Sequence, residues 1–394
     1  MKDQIKALAN KYFEEVVIHR KHLHANPELS FKEFKTSEYI KDFLRNNEIE
    51  YVDAYVKTGI VAHIKGKNPD KKIIALRADI DALPIVEKNE ANYTSQNKGI
   101  MHACGHDVHT SSMLGVCKIL NDLKSSFEGT FKIIFQPGEE ILPGGASLMI
   151  KEGALENPDA ELIIGQHVYP QLEAGKVGFK KGMYMASADE IYVTIKGKGG
   201  HGALPENCID PILIASHIIV ALQQIVSRHA KPTIPSVLTF GHIEGIGATN
   251  IIPNEVKIKG TFRTFDEEWR KNAKEKMKKM SEAIAEGMGG SCDFDIHNGY
   301  PFLTNDEEVT QVAWDSANEF LGKEMVFPLD LRMTSEDFAF YSQKIPSCFY
   351  RLGIANNSEG INSGLHTNTF DIDHEALRTS IGLMSFIALK MIKQ

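Results

Sequence analysis

The sequence predicts an α/β protein with a second, smaller unit inserted into it. Three short runs, 72–78, 131–135 and 162–164, are almost uniformly apolar, as expected of strands buried on both faces of a sheet. Between 183 and 297 the pattern changes to alternating strands and two long amphipathic helices, and from about 300 the first pattern resumes. The chain has 394 residues, enough for two cores.

The elements follow in order. Residues 3–24 read as an amphipathic helix with Ile5, Leu8, Tyr12, Phe13, Val16 and Val17 at helical spacing. Asn26-Pro27 ends it, because the residue before proline is pushed out of the helical region. A second helix is expected over 35–46 and a third over 107–123. In the inserted part, a strand at 190–198 precedes a helix from 210 to 227, with Asp210 as N-cap and Pro211 in its first turn. Strands at 236–243 and 255–265, a helix at 267–288 closed by Gly289-Gly290, and a strand at 291–296 complete it. The order β-α-β-β-α-β is the split-βαβ arrangement of ferredoxin-like domains. The expected division is 1–182 plus 298–394 for the first domain and 183–297 for the insert. A helix over 306–321, a strand over 346–353 and a helix over 374–392 close the first domain.

Composition narrows the function classes. Forty-four basic against 52 acidic residues give a net charge of −8, which argues against a nucleic-acid partner, since backbone binding needs a clustered positive face. The lysine-rich run 270–279 reads as a solvated helix face. No apolar segment of signal-peptide length opens the sequence, and no uninterrupted run of about 18 apolar residues is present. The five scattered cysteines read as reduced thiols. The expectation is a cytoplasmic protein with no membrane partner.

The densest chemistry is M-H-A-C-G-H-D-V-H, residues 101–109. Cys104 and His106, one glycine apart, can face one cation, and thiolate with imidazole suits zinc, cobalt, nickel or manganese better than magnesium or calcium. Glu140 after the second apolar run, His167 after the third, and His366 in the loop G-I-N-S-G-L-H-T-N complete a possible shell. Five ligands suit two divalent ions sharing a water as well as one. Adjacent Glu139 can then act as general base; the same pair also fits a solvated acidic turn after Pro137-Gly138. Asp81 can orient a ligand imidazole, or Asp79 and Asp81 form an Asp-rich turn. His201 in G-K-G-G-H-G can donate to an oxyanion or be a bystander. Asn250 and Arg263 lie near strand ends; Arg263 can fork onto a substrate carboxylate or sit at the surface. His102, Asp107 and His109 read as supporting groups.

Seven motifs in sequence order carry a resemblance: H-L-H-A-N-P-E-L-S-F, R-A-D-I-D-A-L-P, H-A-C-G-H-D-V-H, Q-P-G-E-E, G-K-G-G-H-G-A-L-P, T-S-E-D-F-A-F-Y and L-H-T. The sequence resembles the M20 metallopeptidases, and within them the aminoacylase and amidohydrolase branch with its hippurate and auxin-conjugate hydrolases. The resemblance implies a metal-dependent exopeptidase-like catalytic domain, an inserted lid that also serves as dimerisation domain, and a binuclear metal centre. It implies Cys104, His106, Glu140, His167 and His366 as ligands, Glu139 as base, Asp81 as orienting carboxylate, His201 at the oxyanion, and Asn250 and Arg263 on substrate. Asp79 stands where other M20 peptidases carry a ligand histidine, and Gly138 where many relatives have alanine. The implied reaction is hydrolysis of N-acetyl- or N-benzoyl-type N-acyl-L-amino acids by a metal-activated water. Alternatives are a dipeptidase or carboxypeptidase, an N-acetyl-diaminopimelate deacetylase, or a non-catalytic binding protein. A homodimer through the lid is expected.

Overall fold

The three apolar runs form the centre of an eight-stranded sheet. In the computed structural model, which describes residues 1–393, the strand order is Glu50–Tyr55, Gly59–Lys65, Thr130–Gln136, Ile73–Asp79, Leu162–Glu173, Ser347–Ala355, Val177–Phe179, Val326–Pro328. The four middle strands are parallel, and every residue of Ile73–Asp79 and Thr130–Gln136 is buried. This explains why those runs are continuous rather than alternating. Two antiparallel strands, Glu50–Tyr55 and Gly59–Lys65, extend one edge and were not anticipated. The third apolar run continues to Glu173, because Ile163–Tyr169 pairs in register with Ser347–Gly353. His167 is therefore inside a strand, not after it.

The helices Lys2–Ala25, His106–Asp122 and Glu375–Met391 pack on one another, and their apolar faces share one core with the sheet. The parallel strands bring their carboxyl ends to a common edge, where Asp79 is opposite Gln136 and His167 opposite Arg351. Open α/β sheets place their sites at such an edge.

The chain divides into two compact units, Met1–Tyr184 with Thr304–Leu331 and Asp337–Gln394, and Met185–Leu303 with Arg332–Glu336. Residues 299–303 stay with the second unit through Ala188 N–H to Tyr300 O (3.0 Å) and Phe302 N–H to the Glu267 carboxylate (3.1 Å). Residues 332–336 join it through Ala186 N–H to Arg332 O (3.0 Å).

The second unit is a four-stranded antiparallel sheet ordered Ser236–Glu244, Glu255–Thr264, Asp189–Lys196, Ser291–Asn298. Its helices, Pro211–Gln224 and Glu267–Gly287, share a core with it built on Ile191, Val193, Ile218, Leu222, Ile258 and Met277. Asp210 accepts from Ile212 N and Leu213 N, and Asp266 from Trp269 N, so both helices start on a carboxylate cap. The first helix is the most apolar of the second unit. Counted to His229, it has a mean hydropathy of 1.3 and meets the length and composition of a membrane span. Ser216, His217, Gln223 and Gln224 interrupt its apolar run, which is why a search for uninterrupted runs passes over it. Ile214, Ala215, Ile218 and Leu222 are buried in the unit's core, while Ile212, Leu213 and Val220 are exposed.

Candidate metal centre and active site

Loop geometry brings Cys104 and His106 together. Gly105 between them has φ +83° and caps the helix that His106 begins. A Cβ there would lie 2.5 Å from Val168 Cγ2, so both the left-handed backbone and the close approach require glycine. The Cys104 sulfur is 3.5 Å from His167 Nε2 and 3.3 Å from His366 Nε2. His366 Nε2 is 3.2 Å from Glu140 Oε1, and His106 Nε2 is 3.9 Å from the same oxygen. Of the five triads with donor atoms within 4.8 Å of one another among the described residues, two contain Cys104: Cys104–His106–His167 and Cys104–Glu140–His366.

The imidazoles are held by their other nitrogens. His106 Nδ1 donates to Asp81, with 2.9 Å to the carbonyl and 3.2 Å to the carboxylate. His167 Nδ1 donates to Val168 O at 2.8 Å. His167, kept neutral by burial, leaves its Nε2 lone pair facing the site, and His106 presents Nε2 there too, where a bound cation would displace its proton. His109 differs. Its Nδ1 donates to Asp79 Oδ1 (2.6 Å) and its Nε2 accepts from Val168 N–H (3.0 Å), so both nitrogens are engaged. Asp79 is likewise occupied, by His109 on one oxygen and Arg77 Nη1 (2.6 Å) on the other. Burial alone would raise its pKa; Arg77, with His106 and His109, holds it well below the ordinary carboxylate value.

The donor set fits divalent ions. His106 Nε2 and Glu140 Oε1 are buried polar atoms with no protein hydrogen-bond partner, and both face the triads. The Cys104 thiol is pushed well up by burial and by Glu140, Glu139 and Asp79, so only a nearby cation would favour its thiolate. Burial lowers His106, but Asp79, Asp81 and Glu140 override it and lift the imidazole to about 10. A ring of anionic oxygens strong enough to do this also suits a cation.

Glu139 is 6% exposed, its Oε2 is 4.0 Å from His106 Nε2, and it belongs to neither triad that contains Cys104, although its oxygens also lie within 4.8 Å of those of His106 and Glu140. His366 has φ +60° and a side chain 53% exposed. In the second unit, His201 pairs with Ile251 in a two-residue ladder, and Gly202 N–H donates to Asn250 O (2.8 Å), so His201 and Asn250 share one exposed turn. Arg263 donates from Nη1 to Met333 O (2.8 Å), and burial lowers its pKa.

Several supporting groups have roles that spacing did not reveal. Arg77 Nε donates to Gln136 Oε1 (2.9 Å) and Nη2 to Asp337 Oδ1 (2.8 Å), linking two strand ends to the turn of the T-S-E-D-F motif. Behind the Cys104 loop, buried Asp107 accepts from Arg20 Nε (2.9 Å) and from His24 Nδ1 (2.7 Å). Arg20 also reaches Asp371 (2.8 Å), and His24 Nε2 lies 3.0 Å from Glu87.

A family model described as peptidase family M20/M25/M40 matches residues 75–390. The chain belongs to this family. As an M20 enzyme it is a metal-dependent hydrolase acting on amide bonds. Its M20 relatives include an N-acetyl-L-cysteine deacetylase of Bacillus subtilis, 42% identical over 91% of this chain and 83% of that one. An N-acyl-L-amino acid amidohydrolase of Geobacillus stearothermophilus is 40% identical over 78% of this chain and 82% of its own length. A Bacillus subtilis crystal structure described as a dinuclear metal binding peptidase from the M20 family is 34% identical. It covers 98% of this chain and 99% of that one at a TM-score of 0.82.

Proposed function

We propose that the chain hydrolyses the amide of N-acyl-L-amino acids, with N-acetyl substrates preferred, at a centre of two divalent ions bound through Cys104. The observation that carries this is one thiol shared by two triads with a buried carboxylate, Glu139, beside them. The deacetylase and amidohydrolase relatives support the acyl-amino-acid class.

Cys104, His106 and His167 would hold one ion, and Cys104, Glu140 and His366 the other; manganese, zinc, cobalt or nickel suits these donors. Ions bound there would supply a Lewis acid and a water whose pKa is lowered toward neutrality. Glu139 takes the proton of the attacking water and returns it to the leaving nitrogen, the two halves of general acid–base work. Asp81 keeps the His106 tautomer and ring orientation. By resemblance, His201 serves the oxyanion, while Asn250 and Arg263 contact substrate.

Ile212, Leu213 and Val220 leave an apolar stripe on one helix of the second unit, which supports self-association through that unit. Five free cysteines among the described residues suit a reducing compartment such as the cytoplasm.

The test is kcat/KM for N-acetyl-cysteine, N-acetyl-methionine, N-benzoyl-glycine and a dipeptide panel, each with manganese, zinc, cobalt and nickel. The expected result is N-acyl amino acids at least tenfold above every dipeptide. Dipeptides equal to or above them would replace this reading with a dipeptidase.

A further inference from the structure

The motif P-E-L-S-F-K-E, residues 27–33, holds no metal ligand or base, yet its backbone and side chains enclose the active-site turn. Ala82 N–H donates to Glu28 O (2.8 Å), and Leu29 bridges to Ala82, so the segment runs alongside the chain that carries Asp81. Ser30 Oγ donates to Asp81 Oδ2 (2.6 Å), the oxygen that also accepts Glu140 N–H (3.0 Å). Phe31, in the left-handed region at φ +62°, lays its ring on Gly138, where a Cβ would come within 2.4 Å of it. Gly138 itself has φ +63°. Alanine at this position would therefore require the ring to move.

Glu33 closes this arrangement. Its carboxylate is fully buried. Oε1 accepts from Phe31 N–H (2.8 Å) and from Gly138 N–H (2.9 Å), and Oε2 accepts from Thr58 Oγ1 (2.8 Å). Burying a carboxylate is costly unless its lone pairs are used, and here three donors use them. The Gly138 carbonyl is held in turn by Gly145 N–H (2.9 Å). Both polar groups of the residue preceding Glu139 are thus fixed, one of them by a buried carboxyl that desolvation and the Asp81 charge raise to about 7.

We propose that Glu33 is a positioning residue for the reaction: by holding Gly138 N–H it sets the direction in which the Glu139 carboxylate leaves the backbone. The proposal rests on the reading of Glu139 as the base. A displacement of about 1 Å in a reacting group can cost on the order of 100-fold in rate, so the effect belongs in kcat, not in ion binding or KM.

The experiment compares Glu33→Gln, Glu33→Asp, Thr58→Val and Glu139→Gln with the unaltered enzyme. For each, kcat, KM, bound ions per chain and melting temperature are measured at saturating manganese. Glu33→Gln keeps the length but loses one acceptor oxygen; Glu33→Asp keeps the carboxyl but retracts it by one methylene. Both are expected to lower kcat by about 10- to 100-fold, with KM within about twofold and two ions retained. Thr58→Val removes only the bond to Oε2, and is expected to lower the melting temperature with kcat within about threefold. Since Glu33→Asp tests the same geometry, failure of Glu33→Gln to fold leaves the comparison intact. The proposal is overturned if a folded Glu33 variant has unaltered kcat. It is also overturned if Thr58→Val loses as much kcat as the Glu33 variants, or if the Glu33 variants lose ions. A normal Glu33→Gln beside an inactive Glu139→Gln overturns the positioning role alone. An active Glu139→Gln overturns the base reading and this proposal with it.

Discussion

Replacing Gly105 by alanine puts two separable penalties on the loop between Cys104 and His106. At φ +83° an L-residue costs roughly 1–2 kcal/mol. The new methyl would sit 2.5 Å from Val168 Cγ2 and 3.3 Å from Phe370 Cζ, an overpacking of about 1–3 kcal/mol. The expected destabilisation is about 2–5 kcal/mol. With an unfolding entropy of roughly 2.1 cal/mol/K per residue, the first unit should melt about 4–9 °C lower. Thermal melts followed by circular dichroism, in chelator so that ion binding does not contribute, read this directly. A cycle with Val168→Ala separates the two penalties: removing the facing methyls should relieve only the steric one, giving a coupling of about 1–3 kcal/mol. A Gly105→Ala melt within about 1 °C of the parent, or strictly additive effects in the cycle, would refute the reasoning.

Three further outcomes are expected. Cys104→Ser should bind fewer than one ion per chain after desalting, measured by inductively coupled plasma mass spectrometry, because one sulfur belongs to both triads; retention of two ions contradicts the shared-thiol assignment. Burial lowers the His24 pKa, but Asp107 and Glu87 reverse this and leave it raised. Its stabilisation is therefore complete below the unfolded value of about 6.5 and is lost as pH rises through the raised folded value. Urea unfolding should show the advantage of the parent over His24→Asn shrinking from pH 6 to the alkaline side, and a constant difference counts against it. Val220→Glu, on a residue 73% exposed, should turn a dimer into a monomer by light scattering at micromolar concentration, and an unchanged mass would remove the proposed interface.

Periodicity made the cores legible because local and tertiary demands agree there. The cap Asp210 is set by residues two or three positions away, and the buried strands are mostly apolar. The edge strands Glu50–Tyr55 and Gly59–Lys65 gave no such signal. Glu50–Tyr55 is mostly exposed and pairs only with its hairpin neighbour, while Gly59–Lys65 is also held by Thr130–Gln136, about 70 residues along the chain. The strand carrying His167 extends beyond its apolar run because it pairs with Ser347–Ala355, almost 200 residues on. At the site, residue types bearing obvious chemistry, Cys104, His106, Glu140, His167 and His366, stood out from spacing and resemblance, and the fold gathers them. Glu33, Arg20 and Asp337 did not stand out. Their importance lies in partners 105, 87 and 260 residues away, and single positions in a helix or turn carry no trace of that. Asp79 shows the reverse: a strand-end carboxylate beside histidines looks like a ligand, but Arg77 and His109 already occupy both its oxygens.

The central claim is that Glu139 moves the protons while Cys104, His106, Glu140, His167 and His366 hold the ions. The most direct measurement is kcat of Glu139→Gln on N-acetyl-methionine, with bound ions counted in the same sample. The account predicts kcat lowered by about 100- to 10,000-fold, with two ions still bound and KM little changed. A variant that keeps its ions and turns over within about tenfold of the parent would contradict it.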